Sequence, residues 1–368
     1  MKRERPHAGA RSAHEPRINL AAVARAAHTS ESTASRALRD DPRIGETTRA
    51  AVRAAAARLG YVPNAAARSL RARRTHILGL LLDDLADPFH GQVAAGFEEA
   101  AASQGYAVFI MTGLHDLGRE GRALRAFVEH RTDGIVLASC VSDPVEVYAR
   151  VPEERVVFVQ PDYPRLADGV APPDHGVLRI DDAGGVAATI GHLVERGYRR
   201  IGYVGAGGGP SDFIRRSAAA AALDALVRAP LRVYDAGVAG WRDPSTVAGV
   251  LADDRPDAVI CYDDKLALAL MDALRLIHLD VPADIAIAGF DGIPLSGRSN
   301  PRLTTVASPS VAIGRRAVEM LMASARDGSM PASEVLPVRL VVAESTPRHA
   351  VIREAPYVPD AVAGARRS

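Results

Sequence analysis

The sequence has few of the residues and runs that build disulfides, metal sites or membrane spans. Its only cysteines, Cys140 and Cys261, lie far apart without a second ligand at metal-binding spacing. We therefore expect no disulfide framework, no metal site and a reducing compartment. Residues 1–17 are charged and lack the apolar core of a secretory signal, and no run reaches about 18 apolar residues. These absences predict a cytoplasmic protein with no membrane partner.

Motifs of catalysis and cofactor binding are also missing. The chain has no G-x-S-x-G, H-E-x-x-H or C-x-x-C pattern, and its 11 histidines do not cluster at ligand spacing. A glycine run at residues 205–209 follows a strand-like segment, but it matches neither G-x-G-x-x-G nor the phosphate-loop pattern. We therefore expect no enzymatic activity and no cofactor.

Charge is distributed unevenly along the chain. The formal net charge of the 368 residues is +1. Residues 1–76 nevertheless hold 16 Lys and Arg against 6 Asp and Glu, whereas the remainder holds 29 against 38. A basic head on an acidic body is expected where one end meets nucleic acid phosphates and the rest avoids them. A basic tail without a partner is the alternative that charge alone leaves open.

Three short helices are predicted within the basic segment. Apolar residues recur at helical spacing in residues 20–27, 31–38 and 46–59. Asn19 and Ser30 stand where the first two helices need capping side chains. Two short helices joined by a tight turn are typical of a helix-turn-helix, although alanine-rich hairpins that only pack have the same spacing.

The continuation of this segment resembles the lactose-repressor (LacI) family closely. The head residues that carry the resemblance are 23–24, 30–36, 48–49, the motif Leu59-Gly60-Tyr61-Val62-Pro63-Asn64, and 67–70. Further matches extend to about Thr346, at residues 87–89, 132–136, 196–201, 281–285, 289–291 and 301–306. Two departures are His28, where the family usually has glycine in the turn, and Gly45, which replaces a serine cap.

The resemblance implies which residues contact DNA. In this family the second helix reads base edges in the major groove, and a hinge leucine, here Leu70, wedges into a minor-groove step and bends the duplex. An arginine forks onto a guanine edge, and a glutamate accepts from a cytosine amino group. Carried over by position, the base readers are Glu31, Ser32 and Arg36, the phosphate contacts are Ser30, Thr33, Ser35, Tyr61 and Asn64, and the hinge residues are Ala67, Leu70 and Arg71. A solvated helix face remains the alternative for Glu31 and Arg36.

Beyond residue 76, strand-like and helical patterns alternate, which predicts parallel sheets covered on both faces and a cleft at their carboxyl ends. The resemblance implies an α/β domain of two lobes like the periplasmic sugar-binding proteins, with the chain crossing between lobes three times. We expect an N-terminal extension at 1–17, a helix-turn-helix head at 18–63, a hinge helix and linker at 64–76, the two-lobed domain at 77–346 and a tail at 347–368. Within that domain, lobe one takes about 77–177 and 306–331, and lobe two about 178–305 and 335–346.

The resemblance also implies an effector site in the cleft. The residues carried over are Phe89, Arg215, Trp241, Asp263 and Asp291. An indole for stacking and charged groups for hydrogen bonds to hydroxyls suit a sugar or sugar derivative. Asp263 departs from the more usual asparagine, which removes two donors and adds a charge. Plain packing is the alternative for Phe89 and Trp241, and a turn or cap role for Asp291.

These observations predict a regulator of transcription. We expect a homodimer that places two heads on a pseudo-palindromic, double-stranded DNA operator, acts as a repressor, and responds to a small polar effector. Two alternatives remain: a sugar-sensing or transport protein that does not bind DNA, and an activator of the same family. The sequence leaves open the effector's identity, its sign and the choice between dimer and tetramer.

Overall fold

The computed structural model describes residues 18–61, 74–163, 173–207, 209–235 and 244–347. The chain divides into two compact units between residues 73 and 74, inside the segment expected to be hinge and linker. The backbone amides of Thr75 and His76 each donate to the carboxylate of Asp133 at 2.9 Å. These bonds attach the end of the expected linker to the second unit, which therefore begins three residues before the predicted boundary.

The first unit contains three helices with bounds close to the prediction, α1 (Leu20–Ala26), α2 (Glu31–Ala37) and α3 (Glu46–Leu59). The side-chain oxygen Oδ1 of Asn19 and the hydroxyl of Ser30 accept hydrogen bonds from the first turns of α1 and α2. His28 has a φ of 51°, so the turn has the left-handed backbone for which the family uses glycine. The buried core is built from small residues: Val23, Ala24, Ala34, Ala37, Val52, Ala55 and Ala56.

The second unit holds two six-stranded sheets, each flanked by helices. The first lobe's sheet has the order β11-β5-β4-β3-β1-β2, and the second lobe's has the order β12-β10-β9-β8-β6-β7. Only the β10–β12 pair is antiparallel among the described ladders. The strands are β1 (Ile77–Leu82), β2 (Ala107–Thr112), β3 (Gly134–Ala138), β4 (Val156–Val159), β5 (Val177–Ile180), β6 (Ile201–Gly205), β7 (Arg232–Asp235), β8 (Ala258–Cys261), β9 (Ala286–Asp291), β10 (Thr304–Ala307), β11 (Glu334–Leu336) and β12 (Arg339–Val341).

The helices of this unit begin earlier than apolar periodicity alone predicts. They are α4 (Pro88–Ser103), α5 (Leu117–Glu129), α6 (Pro144–Tyr148), α7 (Asp182–Glu195), α8 (Pro210–Val227), α9 (Ser245–Asp254), α10 (Asp264–Leu276) and α11 (Ser310–Asp327), with one 3₁₀ turn at Glu153–Arg155. Aspartate caps such as Asp87 and Asp116 start these helices at least one turn before the apolar residues recur regularly, so periodicity misses the first turn. Within the described part of the chain, none of these helices has the length and apolar character to cross a membrane.

The chain crosses between the lobes a few residues later than expected. Strand β5 pairs with β4 and β11 in the first sheet, whereas β10 pairs with β9 in the second. The crossings therefore follow Ile180, Ala307 and Leu336, and the predicted boundaries near 177, 305 and 335 need this small correction. The reason is that ladder pairing, which the sequence does not reveal, decides the lobe to which a short apolar run belongs.

Close helix packing holds the first lobe together. A Cβ on Gly96 of α4 would lie 2.0 Å from the carbonyl oxygen of Val311, and one on Gly314 of α11 would lie 2.1 Å from that of Val93. Only glycine allows the two backbones to come this near. The contact fixes α4, which follows directly on the cleft loop after β1.

Candidate functional site

Helix α2 exposes one polar face. Ser30, Glu31, Ser32 and Arg36 are exposed and Thr33 and Ser35 half-buried, whereas Ala34 and Ala37 on the opposite face are buried. The hydroxyl of Ser30 caps the helix by accepting from the Thr33 amide at 3.1 Å. Every residue of α2 predicted to contact DNA therefore lies on the accessible side, and Ser30 also fixes the start of the helix.

The two charged residues of this face, Glu31 and Arg36, differ in their pairing from three arginines on other parts of the head. Arg43, Arg49 and Arg53 form ion pairs with Asp41, Glu46 and Asp40 respectively. Glu31 and Arg36 make no ion pair within the described residues. Side chains that carry a charge without an internal partner keep their hydrogen-bonding capacity for a second molecule.

Arg215 forms the centre of the cleft in the second unit. It projects from α8, is only 5% exposed, and donates from Nε to Asp182 Oδ1 at 2.8 Å. Its Nη1 donates to the Tyr262 carbonyl oxygen at 2.7 Å, and its Nη2 lies 3.5 Å from Asp291 Oδ1. The guanidinium is thus held by groups from three different segments of the second lobe.

Aromatic faces and buried carboxylates set the electrostatics around Arg215. The guanidinium lies over the rings of Phe290 at 3.7 Å and Tyr262 at 4.9 Å. Burial lowers the pKa of Arg215, but Asp182 and Asp291 more than offset this, so the pKa is raised overall. Burial raises the pKa of Asp291 well above its ordinary value, even beside Arg215. The arginine is therefore charged throughout the physiological range.

A lysine connects the two lobes at one side of the cleft. Lys265, at the start of α10, forms an ion pair with Asp87 of the first lobe and lies 3.8 Å from Asp263. Asp87 caps α4 and Asp263 caps α10, the latter by accepting from the Leu266 amide at 2.8 Å. Burial raises the pKa of Asp263 to about 6. Both capping aspartates are therefore fixed in position at the mouth of the cleft.

A histidine and two further aspartates form the other side. His115 Nδ1 lies 2.8 Å from Asp83 Oδ1, and its Nε2 lies 3.7 Å from Asp162 Oδ2. Asp162 and Asp83 together raise the pKa of His115 to about 10, so this imidazole is charged at neutral pH. The other oxygen of Asp162 accepts from the Ser211 amide of the second lobe at 3.0 Å.

The structure brings together three of the five predicted effector residues, Arg215, Asp263 and Asp291. Phe89 is buried in the core of the first lobe, with its ring centroid 5.4 Å from that of His90. Tyr61 packs against the helical core of the head. Asn64, Ala67, Leu70, Arg71 and Trp241 lie outside the described residues, as do the extension at 1–17 and the tail from 348.

Sequence reasoning missed several cleft residues. They are Asp83, Asp87, His90, His115, Gln160, Asp162, Asp182 and Lys265. One signal was present, because Asp83, Asp162 and Asp182 each follow a predicted or observed strand by one to three residues. The carboxyl ends of parallel strands meet at one edge of a sheet, so acidic residues at that position are expected to converge.

Comparison with known proteins matches both units. Residues 19–64 match the model of bacterial regulatory proteins, lacI family, and residues 190–346 match that of the periplasmic binding protein-like domain. The transcriptional regulator GalR of Salmonella typhimurium is 31% identical over 323 residues, covering 85% of this chain and 90% of GalR. This chain belongs to the lacI family of bacterial regulatory proteins.

A further relative agrees with this family membership, and a solved structure agrees in fold. The ribose operon repressor of Escherichia coli is 31% identical over 314 residues, covering 82% of this chain and 91% of the repressor. The crystal structure of the lac repressor dimer bound to operator and an anti-inducer superposes with a TM-score of 0.79 at 22% identity, covering 90% of this chain and all of that one. As a member of this family, the present chain is a DNA-binding transcriptional regulator and not an enzyme. It has a helix-turn-helix head and a two-lobed α/β domain.

Proposed function

We propose that this regulator is a repressor that binds a pseudo-palindromic operator as a homodimer in the cytoplasm. Binding of a small polar effector in the cleft raises or lowers the affinity of the repressor for the operator. Residues 64–73 act as the hinge, with Leu70 as the minor-groove wedge and Ala67 and Arg71 beside it. The observation that carries the DNA-reading part is the exposed face of α2, where Glu31 and Arg36 form no ion pair with any residue that the structure describes.

The effector part rests on the cleft. Arg215, Asp263 and Asp291 lie at the carboxyl ends of the second sheet, where α/β folds bind ligands. Charged groups held by caps and ion pairs present hydrogen-bonding atoms to hydroxyls without needing to rearrange. We assign the stacking role to Trp241. The ribose operon repressor by its name serves a sugar operon, which supports a sugar or sugar derivative here.

The dimer is supported by the first lobe. Strand β2 lies at the edge of its sheet, and Ile110, Leu114 and Leu117 at and after this strand are exposed. Apolar side chains at an unpaired sheet edge favour association with a second copy. Two-fold symmetry of the protein then matches the two-fold symmetry of the operator.

The test is selection of bound sequences from a random duplex pool by the full-length protein at stated salt. We expect a palindromic site, and Arg36→Ala should relax one base position in each half-site, at a cost of about 1–3 kcal/mol for the preferred base. The reason is that a forked arginine contact to a guanine is lost. The affinity of the protein for the selected duplex is then measured in the presence of ribose and of other sugars, and a sugar that changes it is identified as the effector.

Arg53→Ala is the matched control, since Arg53 is a paired, exposed arginine of the same head. It should leave the selected sequence unchanged. If Arg36→Ala selects the same sequence with the same stringency, α2 does not read bases as proposed; if no site emerges from the wild type in the presence or absence of sugars, the regulator lacks the proposed operator.

A further inference from the structure

Among the described residues of the cleft, three cationic side chains each lie between two aspartates. These are Arg215 between Asp182 and Asp291, Lys265 between Asp87 and Asp263, and His115 between Asp83 and Asp162. We call the whole set, which consists of three cations and their six aspartate partners, the three bridged cations. If all nine are ionised, three negative charges remain uncompensated; burial raises the pKa of Asp291 and Asp263, so the site without a ligand lowers this surplus by taking up protons.

The three bridged cations share one electrostatic environment. Asp87 contributes to the raised pKa values of both Asp263 and Asp291, although it belongs to the first lobe. Asp162, also in the first lobe, acts on the phenol of Tyr262 together with the same two aspartates. The surplus of negative charge is therefore concentrated at the interface of the lobes and is not spread over the surface.

This arrangement discriminates between ligands by charge. Every cation of the set already has two carboxylate partners, so a phosphate or carboxylate of a ligand would meet surplus negative charge at short range. A cationic ligand would instead compensate charge that burial makes costly.

An independent observation comes from His90, on the first turn of α4. Its Nδ1 lies 3.1 Å from the carbonyl oxygen of Asp84. A carbonyl only accepts, so Nδ1 carries the hydrogen and Nε2 is left as an acceptor. His90 is 6% exposed, and among the described residues no hydrogen-bond partner reaches Nε2. A buried acceptor without a donor is costly, so a ligand N–H or O–H would satisfy it.

His90 belongs to the same part of the cleft. Burial lowers the pKa of this imidazole, and Asp87, Asp83 and Lys265 all act on it electrostatically. The ring is therefore neutral and lies among members of the three bridged cations. Like the surplus aspartates, it presents an acceptor.

The geometry does not suit a metal ion. Within the described residues, no three His, Cys, Asp or Glu side chains converge closely enough to hold one. The carboxylates are instead separated by the cations that they share.

We propose that the effector is a hydroxylated amine, such as an amino sugar, whose ammonium group is compensated by the surplus aspartates and which donates a hydrogen bond to His90 Nε2. This inference rests on the effector-binding part of the proposed function and narrows it to one class. Anionic sugars, including phosphates and uronic acids, are excluded by the same charges.

The first test measures binding of matched sugars to the full-length protein by titration calorimetry. The probes are glucose, glucosamine and glucuronic acid, with their galacto and manno counterparts. We expect the tightest ligand to be an amine, at least about tenfold tighter than its neutral partner, and the acids not to bind. Asp263→Asn should reduce this preference for the amine, because it removes one surplus charge while asparagine still caps α10. Asp272→Asn, an exposed aspartate on the same helix, is the control and should leave the preference unchanged.

The second test separates a contact from a packing role at His90. Asparagine places its amide near Nδ1 and keeps the bond to Asp84, whereas glutamine extends an acceptor toward the position of Nε2. We expect His90→Asn to weaken the amine about tenfold and His90→Gln to restore part of the loss. Equal weakening by both variants, with no recovery in glutamine, overturns the contact to Nε2.

Operator titration distinguishes this inference from the proposed function. A neutral or acidic sugar that binds tightest and shifts operator affinity overturns the inference and leaves the regulator intact. An amine that binds as expected without changing operator affinity supports the ligand class and contradicts effector control. No binding by any amine of the panel overturns the inference.

Discussion

The head and the two-lobed domain differ in where their charged side chains lie. In the head the buried residues are valines and alanines, and the ionised side chains stay at the surface. The two-lobed domain has a much larger apolar core, and its charged residues Arg215, Asp182 and Asp263 are buried. A surface that meets DNA phosphates and base edges needs solvated, accessible charge, whereas a cleft that encloses a small ligand needs charges fixed before the ligand arrives.

Substitutions of charged residues are therefore expected to affect the two units differently. Exposed ion pairs contribute about 0–1 kcal/mol, so substitutions on the surface of the head alter recognition more than stability. Removing one partner of a buried pair leaves an uncompensated charge in a low dielectric. The cleft is therefore a site where function and stability are coupled.

The largest expected effect is that of Arg215→Leu. This change leaves Asp182 and Asp291 buried without their cation, and we expect the two-lobed domain to lose about 3–5 kcal/mol of unfolding free energy. Trp241 is the only tryptophan and belongs to this unit, so denaturation followed by its fluorescence reports on the unit alone. Arg315→Leu, which breaks an exposed pair with Glu99, is the control and should cost less than about 1 kcal/mol. Equal costs for the two variants would remove the contrast between buried and exposed charge.

A smaller effect is expected where backbone contact, and not charge, holds the first lobe. Gly314→Ala places a methyl group against the carbonyl of Val93, which should cost about 1–3 kcal/mol through displacement of α11 from α4. Gly249→Ala in α9 meets nothing within 4 Å and should be neutral or stabilising by up to about 1 kcal/mol, because alanine favours helix. Fluorescence-detected denaturation again provides the measurement, and a stabilised Gly314→Ala would contradict the close packing.

The last expected effect is a pH dependence of opposite sign in the two units. Burial raises the pKa of Asp263 to about 6 and that of Asp264 to about 7, from an ordinary value of 3.8. The folded state therefore holds these protons more tightly, and the stability they confer is complete below pH 3.8 and lost as pH rises toward 7. In the head, the hydrogen bonds from Arg43 lower the pKa of Asp41, so its contribution is lost only as pH falls below 3.8.

The measurement is the denaturation midpoint of each unit between about pH 2 and pH 7, with hydrogen exchange used to separate head from domain. Asp263→Asn should flatten the decline of the two-lobed domain between pH 4 and pH 6 and leave the head unchanged. A wild-type domain whose stability rises over this interval would mean that other groups outweigh the buried aspartates.

Much of the fold was predictable because it follows from local rules. Helices α1 to α3 and their caps at Asn19 and Ser30 lie where periodicity and capping chemistry predict them, and the alternation of strands and helices beyond residue 76 is observed. The family's motifs add the two lobes and the three crossings. Short strands such as β11 and β12 were not predicted, because each is three residues long, begins with a charged residue and is defined only by its ladder partners.

By itself the sequence determined the class of this protein: a basic head with a polar α2 face, an acidic α/β body, and the family to which both belong. Tertiary structure decided the cleft. No sequence motif marks Asp83, Asp182 or Lys265. They form a site because the carboxyl ends of two sheets face each other. Which cation each aspartate shares, and which acceptor at His90 is left over, are long-range properties that no local pattern encodes, since residues far apart in the chain must first be brought together by the packing of both lobes.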